Sequence, residues 1–219
     1  MLPLVAVIAL WAIWLLDSEF AMGLTRFGLR PRTAIGSIGI LTAPVLHHDI
    51  EHLANNSISA LILGWAMMYF YPRLAGRVVL VSWLVGGAFV WVFARPNIHI
   101  GASGVIYGLA VFLFVSGLIR KQRTLMALTL LVVLLYGSMV WGVFPIVPDL
   151  SWESHLSGAV VGAFLAWYHR GVPPAVSDPK PSFADEEDED PSGTDTVASE
   201  EVQTPNNVST TWDRPAQGA

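Results

Sequence analysis

The sequence predicts an all-α membrane protein: a bundle of six transmembrane helices, with a long interfacial loop between helices 1 and 2 and a disordered C-terminal tail. Three observations support this fold class. The 219 residues are 53% hydrophobic and only 13% charged, which is too apolar for an ordinary soluble domain. Six segments approach the roughly 20 apolar residues that a spanning helix needs. Acidic residues are concentrated at the C-terminal end, where 11 of the 17 lie within residues 171–219.

The apolar runs predict where each helix begins and ends. The first is expected to be a retained helix and not a cleaved signal peptide. It has no basic segment beyond the amino terminus, and no small-residue cleavage site follows Leu16 closely. The six predicted segments are 1–18, 50–71, 76–95, 102–120, 124–144 and 153–169.

The distribution of basic residues predicts the orientation in the cell membrane. Seven Lys and Arg residues fall on one side of a six-helix path and four on the other, so the positive-inside rule puts both termini in the cytoplasm. The seven are Arg73, Arg77, Arg120, Lys121, Arg123, Arg170 and Lys180, and the four are Arg26, Arg30, Arg32 and Arg95.

The connection between helices 1 and 2, residues 18–49, is long, semi-apolar and rich in glycine. An unstructured loop of this length is uncommon in a folded domain, so we expect a structured element that lies in the membrane interface. The chain thus divides into a membrane domain, residues 1–170, and a tail, residues 171–219, rich in Pro, Ser, Thr, Asp and Glu. Such a tail buries too little apolar area to fold, and we expect it to be disordered and cytoplasmic.

Composition also excludes several function classes. The chain contains no cysteine, which excludes a disulfide framework, a thiolate nucleophile and a Cys-ligated metal site. The net charge is +4 over residues 1–170 and −9 over residues 171–219, and no basic patch supports nucleic-acid binding. We therefore expect the lipid bilayer as a partner, no nucleic acid, and neither a cofactor nor a metal.

Three groups of polar residues open helices 2, 4 and 6, where polar side chains are costly and indicate function. In a six-helix antiparallel path these helices all start on the same side of the bilayer, so the three groups share one leaflet. A common site is the simplest explanation of that shared depth. The groups are His47, His48, Asp49, Glu51, His52, Asn55 and Asn56; Gly101, Ala102, Ser103 and Gly104; and Glu153, Ser154 and His155.

Two of these residues have the chemistry of a nucleophile and its base. Ser103 lies between Gly101 and Gly104, where the lack of side chains lets a substrate carbonyl approach closely. The free N–H groups of a helix N-terminus favour developing negative charge beside it. A neutral imidazole such as that of His155 is the usual base for a serine hydroxyl.

Helices 6 and 2 supply the other candidate residues. Gly158 and Gly162 form a pair of small residues that would let helix 6 pack tightly and bring His155 within reach. His52 and Asn56 are four residues apart and share one face of helix 2. His47 belongs at the mouth of that helix. Four further polar residues are each expected only to cap helices or to lie in the headgroup region: His48, Asp49, Asn55 and His99.

These residues together resemble the rhomboid intramembrane serine proteases. Each motif alone is weak, but all of them occur on the expected helices in the expected order, over about residues 1–170. The motif residues are Gly101, Ala102, Ser103 and Gly104 on helix 4, His155, Gly158 and Gly162 on helix 6, and His47, His52 and Asn56 on helix 2.

The resemblance implies an endopeptidase that hydrolyses peptide bonds in or next to transmembrane segments of membrane-protein substrates. It implies that Ser103 is the nucleophile and His155 the general base, in a dyad without an acidic third member. His47 and Asn56 would line the oxyanion hole together with the Ser103 backbone N–H, and His52 would pack behind them. Tyr107, four residues after Ser103, corresponds to the family tyrosine that stacks on the catalytic imidazole.

Two departures from the family pattern concern the loop and not the chemistry. Members often carry a Trp-Arg pair before the first histidine, and residues 33–46 contain neither type. The glutamate often found near the end of helix 2 is replaced by Met67 and Met68. The resemblance therefore leaves open how the 18–49 loop is anchored.

Two other functions remain as alternatives from the residues themselves. His48 and His52 have the spacing of the zinc-protease motif His-Glu-x-x-His, with Asp49 in place of glutamate, and such a pair can bind zinc. A zinc protease would leave Ser103 and His155 unexplained. A non-catalytic membrane protein that holds a ligand in its polar cluster is the other alternative, although transporters usually show repeated halves and this chain does not.

Overall fold

The computed structural model describes residues 1–135, 142–145 and 151–176, which lie within one compact unit, Met1–Pro179. Six helices of 13 or more residues are present in these ranges. They are α1 (Leu2–Phe20), α2 (Ile50–Phe70), α3 (Ala75–Phe93), α4 (Ser103–Arg120), α5 (Arg123–Leu135) and α6 (Trp152–Tyr168).

Each helix begins within two residues of its predicted start, and five also end within two residues of their predicted ends. The exception is the fifth, because most of the predicted segment beyond residue 135 lies outside the described residues. Local signals explain several ends: the Asp49 side chain accepts a hydrogen bond from the backbone N–H of His52 and so caps α2. Lys121 ends α4 in the left-handed conformation, with φ 54°.

Helix α4 lies at the centre of the bundle and packs against α2, α3, α5 and α6. Half of its apolar span is buried inside the protein, against 17% for α1 and 22% for α3. The best buried core side chains come from all four of α2 to α5, for example Leu63 of α2, Leu113 of α4 and Leu125 of α5. The helix that carries Ser103 is therefore the one held on most sides by its neighbours.

Three helices of the described ranges, α1, α3 and α4, are long and apolar enough to cross a bilayer. Helix α2 has 21 residues, but polar residues such as Glu51 and Asn55 occupy its first turns. Helix α6 has 17 residues, and α5 is described over 13. The chain is thus an all-helical membrane protein over its described part, and the count of six spans stays a prediction.

Short helical turns fill the connection between α1 and α2. They are Leu24–Phe27, Ile35–Ile38, Gly39–Thr42 and Ala43–Val45. Leu29, between the first two turns, forms an isolated antiparallel bridge with His99, which precedes α4. The connection therefore contacts the same loop that leads to Ser103.

The connection is anchored to the C-terminal end of α3, which answers the question raised by the missing Trp-Arg pair. Arg32 donates from Nη1 to the carbonyls of Val92 at 3.0 Å and Ala94 at 2.8 Å. These carbonyls at the end of α3 need partners, because no further helical turn supplies donors. Two indole N–H groups of α3 donate in return to carbonyls of the connection, each at 3.0 Å; they belong to Trp83 and Trp91.

The first residues of the predicted tail, 171–176, contact the helices. Arg120 donates to the carbonyls of His169, Arg170 and Val172 at 2.7 to 3.0 Å. The backbone N–H of Ala175 donates to the carbonyl of Phe70 at 2.7 Å. The rest of the predicted disordered tail, from residue 177, lies outside the described residues.

Candidate active site

Ser103 is the first residue of α4, at the end of a turn that only glycine fits well. Gly101 has φ +107° and donates its N–H to the carbonyl of Ala43 at 2.8 Å. An added Cβ at Gly101 would come within 2.5 Å of His52 Nε2 and 3.4 Å of Asn56 Nδ2. The turn before Ser103 therefore lies directly against the polar face of α2.

His155 lies in the first turn of α6 and is 5% exposed. Its Nε2 is 2.9 Å from Ser103 Oγ, and its Nδ1 is 2.8 Å from the carbonyl oxygen of Gly142. A carbonyl only accepts, so Nδ1 must carry the proton that it donates to Gly142. Nε2 of a neutral ring is then an acceptor, aimed at the Ser103 hydroxyl.

Tyr107 holds the plane of this imidazole. The two rings stack with centroids 4.2 Å apart and an interplanar angle of 9°. Tyr107 is one helical turn after Ser103 and 6% exposed. The His155 ring is thus fixed by three neighbours: a hydroxyl, a carbonyl and an aromatic face.

Glycines bring the two helices close enough for this contact. A Cβ at Gly158 of α6 would overlap the carbonyl oxygen of Gly104, and one at Gly162 would overlap that of Gly108. Pairs of small residues let helix backbones approach closely. The close α4–α6 contact therefore depends on the two glycines of α6.

His47 and Asn56 are buried polar residues beside this site, at 4% and 6% exposure. Among the described residues, both ring nitrogens of His47 and Asn56 Nδ2 lack a hydrogen-bond partner of good geometry. Burial lowers the pKa of His47 to about 4, so its ring is neutral and carries one N–H donor near neutral pH. Unpaired buried donors are costly, and an anionic ligand would relieve that cost.

His52 packs against His47 with ring centroids 5.0 Å apart at 65°. The rings of His47 and His52 are therefore in contact, and His52 and Asn56 lie against Gly101. Ser103 is in turn hydrogen-bonded to His155, on which Tyr107 stacks. The first turns of α2, α4 and α6 meet at one place, as the shared-leaflet argument predicts.

Three further polar residues in or just before the first turns of α2 are not part of this buried cluster. His48, Asp49 and Asn55 are exposed, and Asp49 caps the helix. No group of three or more His, Asp or Glu side chains in residues 1–135, 142–145 and 151–176 is arranged to hold a metal ion.

Sequence reasoning missed the Gly142 carbonyl, which accepts the hydrogen bond of His155 Nδ1. A backbone carbonyl leaves no residue-type signal, so no pattern in the sequence could have identified it. Sequence reasoning also assigned His99 to an end-of-helix role, whereas the structure buries it at 2% exposure within a hydrogen-bonded cluster.

Known proteins show which family this sequence is similar to. Residues 36–171 match the Rhomboid domain. An uncharacterized protein of Mycobacterium tuberculosis is 34% identical over 167 residues, which cover 72% of this chain and 70% of that protein. One of Mycobacterium leprae is 33% identical over 173 residues, covering 72% and 66%. RHOMBOID-like protein 4 of Arabidopsis thaliana is 28% identical over 134 residues, covering 58% and 33%.

The Rhomboid domain spans more than half of the chain and includes Ser103, His155 and the polar face of α2. Rhomboid domains are those of intramembrane serine proteases, which act on membrane-protein substrates in the bilayer. By this match, the chain belongs to the rhomboid family.

Proposed function

We propose that this protein is an active serine endopeptidase that cleaves membrane-protein substrates in or next to their transmembrane segments, with Ser103 as nucleophile and His155 as general base. One observation carries the proposal: Ser103 Oγ lies 2.9 Å from His155 Nε2, and the Gly142 carbonyl holds the opposite ring nitrogen. A base whose other nitrogen donates to an acceptor is kept in the tautomer that removes a hydroxyl proton.

The reaction proceeds in two steps, which are the formation and the hydrolysis of an acyl-enzyme. Ser103 Oγ bonds to the scissile carbonyl carbon while its proton passes to His155 Nε2; the C–N bond then breaks, and the amine leaves with that proton. Water attacks the acyl-enzyme and gives a proton to His155. The bond to Ser103 Oγ breaks, the oxygen regains the proton, and the carboxylic acid product is released.

The negative oxygen of the tetrahedral intermediate would be stabilised by His47, Asn56 and the backbone N–H of Ser103. Two observations support this assignment: the side chains of His47 and Asn56 are buried with unpaired donors, and Asn56 borders the turn before Ser103. Preorganised donors in a site that excludes water stabilise developing charge strongly. His52 packs behind these donors, and Tyr107 keeps the imidazole plane in place.

In the membrane, we place six spans with both termini in the cytoplasm and the site near the opposite surface. The meeting of the first turns of α2, α4 and α6 supports one shared leaflet. A substrate helix would enter laterally and unwind locally, because its own hydrogen bonds protect a helical peptide bond. Neither a cofactor nor nucleic acid has a part in this chemistry.

Labelling of the full-length protein in liposomes with a fluorophosphonate tests the proposal. We expect Ser103 to be labelled, the labelling to require His155, and EDTA to have no effect. Cleavage that EDTA abolishes, in a protein whose Ser103 is not labelled, would instead indicate the zinc protease built on His48 and His52. Absence of both labelling and cleavage would indicate a non-catalytic membrane protein.

Replacement of Asn56 by alanine tests the oxyanion assignment. Loss of one oxyanion donor typically lowers kcat by roughly 10²–10³-fold, so Asn56→Ala should cleave slowly but measurably, with little change in KM. Asn55→Ala is the matched control, because Asn55 is the same residue type on the same helix but is exposed. Equal rates in the two variants would remove Asn56 from the oxyanion hole.

A further inference from the structure

The two reacting side chains lie in the first turns of α4 and α6, and different segments lead into them. Residues 94–102 lead into Ser103, and residues 151–154 lead into His155. The glycine contacts hold the helix backbones together, whereas the height and rotation of each first turn depend on the segment before it. A misplacement of about 1 Å can cost about 10²-fold in rate, so a link between these two segments matters for catalysis.

An ion pair forms the first link. Arg95 Nε lies 3.0 Å from Glu153 Oε1, and the backbone N–H of Arg95 donates to the same oxygen at 3.3 Å. The Glu153 side chain is 9% exposed and that of Arg95 is 32% exposed. Burial on the Glu153 side reduces the screening that weakens surface pairs. Glu153 precedes His155 by two residues, so the pair fixes the turn that carries the base.

A chain of hydrogen bonds forms the second link. His99 Nε2 lies 3.2 Å from the Arg95 carbonyl oxygen, and His99 Nδ1 lies 2.6 Å from Ser151 Oγ. Ser151 Oγ is in turn 2.6 Å from the Oγ of Ser154, which directly precedes His155. His99 also exchanges backbone hydrogen bonds with Leu29 at 2.9 and 3.0 Å, which ties the chain to the α1–α2 connection.

The direction of these bonds follows from their acceptors. The Arg95 carbonyl only accepts, so His99 Nε2 carries the proton and Nδ1 accepts from the Ser151 hydroxyl. Ser151 Oγ then accepts from Ser154. Burial lowers the pKa of His99, which keeps the ring neutral and this order of donors in place near neutral pH. The side chains of His99, Ser151 and Ser154 are thus joined by hydrogen bonds of one direction, which connect the two segments.

We propose that Arg95, His99, Ser151 and Glu153, here called the loop bridge, are positioning residues that set the distance and orientation between the Ser103 hydroxyl and the His155 imidazole. The inference rests on the proposed function. The loop bridge acts through the segments that carry the reacting residues and takes no part in bond making. The loop bridge connects the segment before Ser103 to the segment before His155, in addition to the direct contact between α4 and α6.

Ser151→Ala is the sharpest test, because Ser151 occupies the N-cap of α6 but its side chain makes no capping hydrogen bond. The substitution therefore removes the bridge hydroxyl without uncapping the helix. In the full-length protein in liposomes, we expect the fluorophosphonate inactivation rate at saturation to fall about 10-fold, with the half-saturating concentration changed by less than about twofold. The melting temperature should fall by about 2–4 °C, because His99 Nδ1 loses its partner, and Ser151→Thr, which keeps the hydroxyl, should restore both the rate and the melting temperature.

Glu153→Gln is a second variant, which keeps the shape of the side chain and an acceptor oxygen but removes the charge. We again expect the inactivation rate at saturation to fall and the half-saturating concentration to stay nearly the same. Ser157→Ala is the control, because the Ser157 hydroxyl bonds the carbonyls of Gly86 in α3 and of Ser154 in its own helix, and not the segment before α4. Wild-type rates in both Ser151→Ala and Glu153→Gln would overturn the loop bridge while leaving the proposed function standing. A slowed rate that Ser151→Thr fails to restore would also overturn it. A wild-type protein that the probe leaves unlabelled would overturn the proposed function, and the bridge with it.

Discussion

Ser103→Ala should abolish proteolysis and fluorophosphonate labelling while the fold persists. The substitution removes the oxygen that bonds to the scissile carbon, which is also the hydroxyl that lies 2.9 Å from the imidazole of His155. Loss of the nucleophile in a serine protease lowers kcat by about 10⁶-fold, so we expect no detectable cleavage. Cleavage of a single-span membrane protein reconstituted with the variant in liposomes measures the effect.

The matched control is Ser116→Ala. Ser116 is a buried serine on the same helix, about 20 Å along the axis from Ser103. We expect this variant to keep its cleavage activity, and Ser103→Ala to keep the wild-type melting temperature. Cleavage that survives in Ser103→Ala would show that the serine chemistry is wrong. If EDTA then stopped the cleavage, a metal would carry the reaction.

Gly158→Ala should both destabilise the bundle and disable the site. The new Cβ would overlap the Gly104 carbonyl, so α6 must move away from α4 or the backbone must distort. Overpacking of this kind lowers the free energy of unfolding by roughly 1–3 kcal/mol. The same movement would separate His155 from Ser103, and a shift of about 1 Å would lower kcat by about 10²-fold.

Gly76→Ala provides the comparison for this prediction. A Cβ at Gly76, in the first turn of α3, meets no atom within 4 Å. We expect the Gly76→Ala variant to keep full activity. Its free energy of unfolding should rise by up to about 1 kcal/mol, because alanine lowers the conformational entropy of the unfolded chain. Thermal unfolding in detergent and the labelling rate measure both variants. A Gly158→Ala protein with wild-type stability and labelling would show that the close glycine contact is not needed.

The positions of the helices could be predicted because a spanning segment is a local property. A run of apolar residues forms its own backbone hydrogen bonds, and its length matches the bilayer without reference to the rest of the chain. This is why the predicted starts lie within two residues of the observed ones.

That the helix of Ser103 starts on the same side of the bilayer as the other two polar groups could also be predicted, because this depends only on helix parity. An even-numbered helix in an antiparallel path starts on the same side as the other even-numbered helices. The anchoring of the α1–α2 connection could not be anticipated, since Arg32 bonds carbonyls about 60 residues later in the chain. The resemblance drew attention to a missing Trp-Arg pair, and the structure holds the same loop by another route.

The sequence by itself determined where the helices begin and which residues are candidates for the chemistry, since residue type and apolar length are local properties. Only the tertiary structure decided how the imidazole of His155 is turned, because the carbonyl of Gly142 that holds Nδ1 has no side chain to recognise. It also decided that Arg95 and His99 meet Glu153 and Ser151 across more than 50 residues of chain. Backbone acceptors and long-range polar pairs depend on where distant segments come to lie, and composition and spacing carry no record of that.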